Sequence, residues 1–196
     1  MIVGLTGGIG SGKSIAGKMF EKFDIDVVDA DNIVKNVLDK NNEVKKGIAN
    51  MFGDNFIDPN NEVDRKLLRE YIFKNPNKKK ELESIIHPIV KNETAKFINQ
   101  SKSDYVLLIV PLIFETQSSK SYEKIIVIDC DEETQILRAS ARDKQSVESI
   151  QNIIKSQASR KERLSIADYV ILNNSTIDNL GDQVKKVHKK IIKLLP

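Results

Sequence analysis

The residues Gly7-Gly8-Ile9-Gly10-Ser11-Gly12-Lys13-Ser14 satisfy the pattern G-x-x-x-x-G-K-[ST] at every fixed position. Four glycines in six residues let successive backbone N–H groups turn toward one anion. A helix opening at Lys13 would add its N-terminal partial positive charge. Lys13 would then reach the β- and γ-phosphates of a nucleoside triphosphate, and the Ser14 hydroxyl would ligate Mg²⁺. Gly8, Gly10, Ser11, Gly12, Lys13, Ser14 and Ile15 are the candidate ATP-binding residues from this segment. The competing explanation is a glycine-rich strand-to-helix turn with a chance Lys-Ser. It would have to produce eight matching positions in the right context, directly after a buried strand and at the head of a helix.

Two further groups could serve phosphoryl transfer. Asp29-Ala30-Asp31 lies at the carboxyl end of a second apolar run, where ligands of open α/β sheets bind. If the backbone stays extended there, both carboxylates share a face, one to orient or deprotonate a hydroxyl and one to help hold Mg²⁺. Asp31 is also well placed to cap a helix. Arg138 and Arg142 are four apart on one helical face, with Arg160 and Arg163 further along. Guanidinium groups stabilise the charge spread over a transferred phosphoryl, and a closing lid excludes water. Pairing with nearby acids such as Glu133 and Asp143 is the structural alternative. Asp129, before Cys130-Asp131-Glu132, imitates a metal-binding strand end, but its place late in the chain favours a helix-capping role for Asp131.

These residues need a scaffold. Short apolar runs at 2–6, 25–29, 105–110, 125–129 and 169–172 predict five buried parallel strands, separated by helical stretches at 13–23, 30–38 and 132–141 and a polar one at 146–164. A closing helix carries the stripe Leu180, Val184, Val187, Ile191 and Leu194. The alternation implies an α/β, three-layer fold around a parallel sheet, and the Gly7–Ser14 motif makes the expected fold P-loop nucleoside triphosphate hydrolase-like. Residues 41–103 read as a helical insertion, broken at Pro88, that carries a substrate-side lobe. We expect a single domain over 1–196, with its core at about 1–40 and 104–196 and a lid at about 138–165.

Composition bounds the rest. The 196 residues carry 31 Lys+Arg and 28 Asp+Glu, a net +3, so any anion must be held by a local cluster and no nucleic-acid partner is expected. One cysteine, Cys130, cannot form an internal disulfide, and two histidines, His87 and His188, make no zinc site with it. No apolar run approaches the ~20 residues that span a bilayer, and the N-terminus reads as a strand, so a soluble cytoplasmic protein without a membrane partner is expected. No Asn-Lys-x-Asp motif is present, which argues against a GTPase. Phosphate loop, acidic pair, insertion and arginines describe a small-molecule kinase. A nucleoside or nucleoside-monophosphate kinase and a non-catalytic ATP-binding module are the alternatives.

The sequence also resembles the dephospho-coenzyme A kinase family along nearly its whole length. Gly4-Leu5-Thr6 leading into the loop, Val28-Asp29-Ala30-Asp31, Val63-Asp64-Arg65, Ile86-His87-Pro88 and Pro111-Leu112-Ile113-Phe114-Glu115 carry the likeness. So do Gln135, Arg138, Arg142-Asp143, Gln157, Arg163, Ala167-Asp168 and Asn173. The resemblance implies transfer of the ATP γ-phosphate, with Mg²⁺, to the ribose 3′-hydroxyl of dephospho-coenzyme A by a monomer or small homo-oligomer. It implies Lys13, Asp31 and Arg142 as catalytic residues, and Ser14 and Asp31 at the metal. Asp29, Asp31, Arg65, His87 and Glu115 would form the acceptor side. For His87 a buried, hydrogen-bonded residue ending a helix before Pro88 is the alternative. Two positions depart from the family: Ile15 stands where Thr is frequent, and Asn60-Asn61 where a glycine often precedes the Asp-Arg pair. Asn tolerates left-handed backbone, so the turn should survive.

Overall fold

The computed structural model describes residues 1–195. The chain forms two compact units: Met1–Asp29 together with the chain from Ser101 onward, and the continuous stretch Ala30–Gln100.

The first unit is built on a five-stranded parallel sheet in the order β2-β3-β1-β4-β5. Its strands are β1 (Ile2–Gly7), β2 (Asp26–Asp29), β3 (Val106–Ile109), β4 (Lys124–Asp129) and β5 (Tyr169–Leu172). β1 is central, with Leu5 opposite Ile109 on one side and Ile126 on the other. Val3, Leu5, Leu107, Ile126 and Ile128 are fully buried, as expected of strands covered on both faces. The covering helices are α1 (Lys13–Glu21), α6 (Glu132–Asp143), α7 (Val147–Ser156), α8 (Arg160–Ser165) and α9 (Ile177–Ile192). Ala16 and Phe20 of α1 and Leu180, Val184 and Ile191 of α9 join the main core. Asp131 caps α6, accepting a bond from the Thr134 N–H at 2.8 Å, with Glu132 and Glu133 in the first turn, as its sequence position suggests.

The second unit contains α2 (Ala30–Lys40), α3 (Asn42–Phe52), α4 (Arg65–Lys74) and α5 (Pro76–Gln100). Val37, Leu38, Val44, Ile48, Phe56, Leu68, Leu82 and Ile86 form its own core. Residues 30–40, which the sequence pattern groups with the sheet, belong to this unit. The turn at 58–62 survives as anticipated: Asn61 takes φ 60°, and its N–H donates to the Asp58 carbonyl at 2.9 Å.

Four expectations need correction. Pro88 does not break the insertion; it lies inside the 25-residue α5. The missing donor costs one helical bond, but buried Leu82 and Ile86 before it and part-buried Ile89 and Val90 after it anchor both halves in one core. The polar stretch at 146–164 is two helices, because Gln157–Ser159 turns extended and Ser159 opens α8 with a capping box. Leu194 lies beyond the end of α9 and is 53% exposed, so the buried stripe stops at Ile191. Finally, β2 ends at Asp29 and α2 begins at Ala30, so the alternation of an extended strand does not relate Asp29 to Asp31.

β5 is an edge strand, and on its free side one side chain takes both bonding groups of Leu172. The Gln183 amide on α9 accepts from the Leu172 N–H at 2.9 Å and donates to the Leu172 carbonyl at 2.6 Å, as a neighbouring strand would.

Candidate active site

All five strands of the first unit run the same way, so the loop after β1 meets the loops after β4 and β5 at one end of the sheet. The loop after β1 holds Gly10 at φ +72° and Gly12 at φ +98°, left-handed conformations that favour glycine. Both positions are also crowded: a Cβ at Gly10 would lie 2.4 Å from the Gln135 carbonyl oxygen, and one at Gly12 would lie 2.3 Å from Asn173 Nδ2. The glycines therefore serve close packing as well as backbone geometry. Lys13 Nζ donates to the carbonyls of Gly7 at 2.7 Å and Gly8 at 3.0 Å, which lays the ammonium along the loop.

A cavity of about 510 Å³ opens beside this loop. It brings together Gly10, Gly12, Lys13, Ser14 and Ile15 with Arg138 and Arg142 of α6, seven of the residues the sequence assigns to ATP. Two others form its frame. Gly8 is buried and its carbonyl accepts from Lys13 and from the Ser11 N–H. Ser11 is 1% exposed, and among the described residues its Oγ has no hydrogen-bond partner. The cavity is completed by Asn173, Ser175, Ile177 and Leu180, from the end of β5 and the start of α9. Ser175, Ile177 and Leu180 were missed as site residues. The available signal was their position, since the carboxyl end of a fifth parallel strand opens on the same site.

The arginines take different places. Arg138 Nη1 donates to the Asn173 carbonyl at 2.8 Å. Arg142 makes a two-pronged pair with Asp143, Nε and Nη2 each 2.7 Å from a carboxylate oxygen. That pair raises the Arg142 pKa and holds the Asp143 carboxyl below its usual range. Arg142 therefore has the acidic neighbour that a purely structural role requires, and it also lines the cavity. Arg160 binds Asp129 through Nε and Nη2 at 2.6–3.0 Å. Asp129, the apparent metal-binding strand end, is 3% exposed and held in that ion pair. Arg163 is buried and donates to the Ala158 carbonyl.

The turn between α7 and α8 is tied down at both sides. Gln157 Oε1 accepts the Ile9 N–H at 3.0 Å, and Glu115 Oε1 accepts the Ala158 N–H at 2.7 Å. Glu115 thus supports this turn and does not line the 510 Å³ cavity. Cys130 is fully buried, and burial pushes its thiol up to about 11, so it is no nucleophile.

The remaining candidates belong to the second unit, except Asp29 at the end of β2. Asp31 is exposed in the first turn of α2, a position that favours a carboxylate. Arg65 opens α4 behind the Asp64 cap, and its Nη2 lies 3.2 Å from Asp39. His87 is exposed within α5, so it is not the buried end of a helix. No group of three or more His, Cys, Asp or Glu is arranged to hold a metal among the described residues. Mg²⁺ needs none: it retains waters and is usually bound through one or two protein oxygens plus phosphates, a demand that Ser14 Oγ on the cavity wall can meet.

A parallel sheet with a phosphate loop after its central strand, and a helix whose two arginines line the cavity beside that loop, defines a P-loop kinase fold. The model of the dephospho-CoA kinase family matches residues 1–179. Proteins named dephospho-CoA kinase from Gamma-proteobacterium EBAC31A08 and Acinetobacter baylyi are 53% and 42% identical over 195 and 191 residues, covering 97% or more of this chain and 98% or more of each relative. The chain belongs to the dephospho-CoA kinase family. A dephospho-CoA kinase from Campylobacter jejuni superposes with a TM-score of 0.73 at 28% identity, covering 98% of this chain and 97% of that one. Shikimate kinase from Acinetobacter baumannii shares the fold, with a TM-score of 0.58 at 16% identity and 98% and 93% coverage. No helix of the described residues is long and apolar enough to cross a membrane.

Proposed function

We propose that this kinase moves the ATP γ-phosphoryl group to the ribose 3′-hydroxyl of dephospho-coenzyme A, giving coenzyme A and ADP in the cytoplasm. The observation that carries this is the cavity itself, where Lys13, Ser14, Arg138 and Arg142 converge on the head of α1 in a chain of this family. In our reading ATP lies there with its phosphates against the Gly8–Ser14 loop and Ile15 alongside. A side chain without a hydroxyl at Ile15 gives up one contact near the α-phosphate and leaves Lys13 and Ser14 in place.

The acceptor oxygen forms a bond to the γ-phosphorus as the bond to the bridging oxygen of ADP breaks, and the hydroxyl proton passes to Asp31. Lys13 neutralises charge on the β- and γ-phosphates. Arg142 turns from Asp143 to the transferred group, and the lid at 138–165 keeps water out as a competing acceptor. When bound, Mg²⁺ neutralises phosphate charge. Ser14 would hold it, with Asp31 as the second oxygen donor. Asp29, Arg65, His87 and Glu115 recognise the acceptor, Glu115 with the oxygen not engaged by Ala158.

The test is an acceptor screen with ATP and Mg²⁺. Dephospho-coenzyme A should release ADP and form coenzyme A well above adenosine, other nucleosides and nucleoside monophosphates. Equal or greater turnover with any of those would overturn the acceptor assignment, and ATP binding without acceptor-dependent ADP release would leave a binding module.

A further inference from the structure

One buried side chain of the cavity wall is bonded into the phosphate loop from the far end of the sequence. Asn173, directly after β5 and 5% exposed, makes three bonds to three parts of the first unit. Its backbone N–H donates to the Asp129 carbonyl at 2.8 Å. Its backbone carbonyl accepts from Arg138 Nη1 at 2.8 Å. Its side-chain Nδ2 donates to the Ser11 carbonyl at 2.8 Å, inside the loop.

The third bond has a chemical consequence. The Ser11–Gly12 peptide is trans and planar, so its C=O and N–H point in opposite directions, and holding one fixes the other. Gly12 precedes the first residue of α1, and its own carbonyl is taken by the N–H groups of Ile15 and Ala16. Its N–H belongs to the head of the helix, where donors have no intrahelical acceptor. Glycine at this position imposes little preference of its own, so the peptide needs an outside hold to keep one orientation. Asn173 supplies it, and packs so closely that a Cβ on Gly12 would meet Nδ2 at 2.3 Å.

We propose that Asn173 is a positioning residue whose amide holds the Ser11–Gly12 peptide so that the Gly12 N–H is presented to the nucleotide phosphates. This rests on the reading of the cavity as the ATP site. With the peptide reversed, a carbonyl oxygen would face the phosphates and an attraction would become a repulsion. The role requires a donor: an aspartate of the same shape would set a carboxylate against the Ser11 carbonyl.

Asn173→Ala and Asn173→Asp test this, because both preserve the backbone groups bonded to Asp129 and Arg138. Both should weaken ADP binding by calorimetry and raise the KM for ATP, by roughly tenfold for alanine and more for aspartate. The KM for dephospho-coenzyme A should stay within about twofold, which a general loosening of the fold would not achieve. ADP affinity within about twofold of the unaltered chain, or an equal loss for both substrates, would overturn the proposal. Amide NMR of the unaltered chain supplies a measurement independent of the variants' folding. Saturating ADP should move the Gly12 proton downfield; ADP bound with that proton unmoved overturns this role alone, and no ADP binding overturns the nucleotide reading and the role together.

Discussion

Lys13 lies along the phosphate loop, with its ammonium on the carbonyls of Gly7 and Gly8. That arrangement places a positive charge at the cavity wall before any substrate arrives, and Lys13→Ala should cut turnover by roughly a thousandfold at an unchanged melting temperature. A steady-state assay at saturating ATP checks it, and an active variant would remove Lys13 from the chemistry. Asp31→Asn separates two roles. A residue that accepts the hydroxyl proton should lose about a hundredfold or more in kcat with ATP affinity near normal, whereas equal losses in both point to the metal. The loop, Arg138 and Arg142 were legible in the sequence because fixed spacing and one helical face decide where they go. Asn173 was legible only as part of a family likeness. Its partner in the loop is 162 residues away, and no local pattern encodes that meeting.

Among the elements, the strands were the easiest to anticipate, since a buried parallel strand leaves an unbroken apolar run. α5 shows what local rules miss: Pro88 disfavours a helix in its own neighbourhood, and packing of the residues on either side outweighs it. α9 carries the clearest pH-dependent contact. His188 stacks on Phe23 with ring centres 4.7 Å apart and pairs with the buried Tyr105 hydroxyl at 3.1 Å. Burial lowers its pKa from 6.5, against a weaker opposing pull from Asp104. As pH falls through the ordinary value, the unfolded chain takes up a proton that the folded chain refuses. Stability is therefore lost until the folded imidazole itself titrates. Melting curves from about pH 7 down to about pH 5.5 should show this decline, and His188→Gln should flatten it. An unchanged slope in the variant would assign the acid sensitivity to other groups.

At the scale of the whole molecule, the two ends of the sheet need protection from pairing with other chains. On β5 the Gln183 amide occupies both bonding groups of Leu172. Gln183→Ala should cost about 1–2 kcal/mol in urea unfolding and raise light scattering on warming; loss of stability with no added association would make the contact a plain tether. The central position of β1 reaches further, into the order in which the protein can be made. Both of its neighbours come from residues beyond 100, so the strand that leads into the phosphate loop is synthesised before either of them and must wait for partners roughly a hundred residues downstream. The stretch 30–100 is continuous and helical, with contacts available as soon as it emerges. Pulse-labelled hydrogen exchange during refolding should protect the amides of Val44 and Ile48 before that of Leu5. A strand made early is thus secured only once β3 and β4 have followed it, and ATP becomes a ligand only of the finished protein.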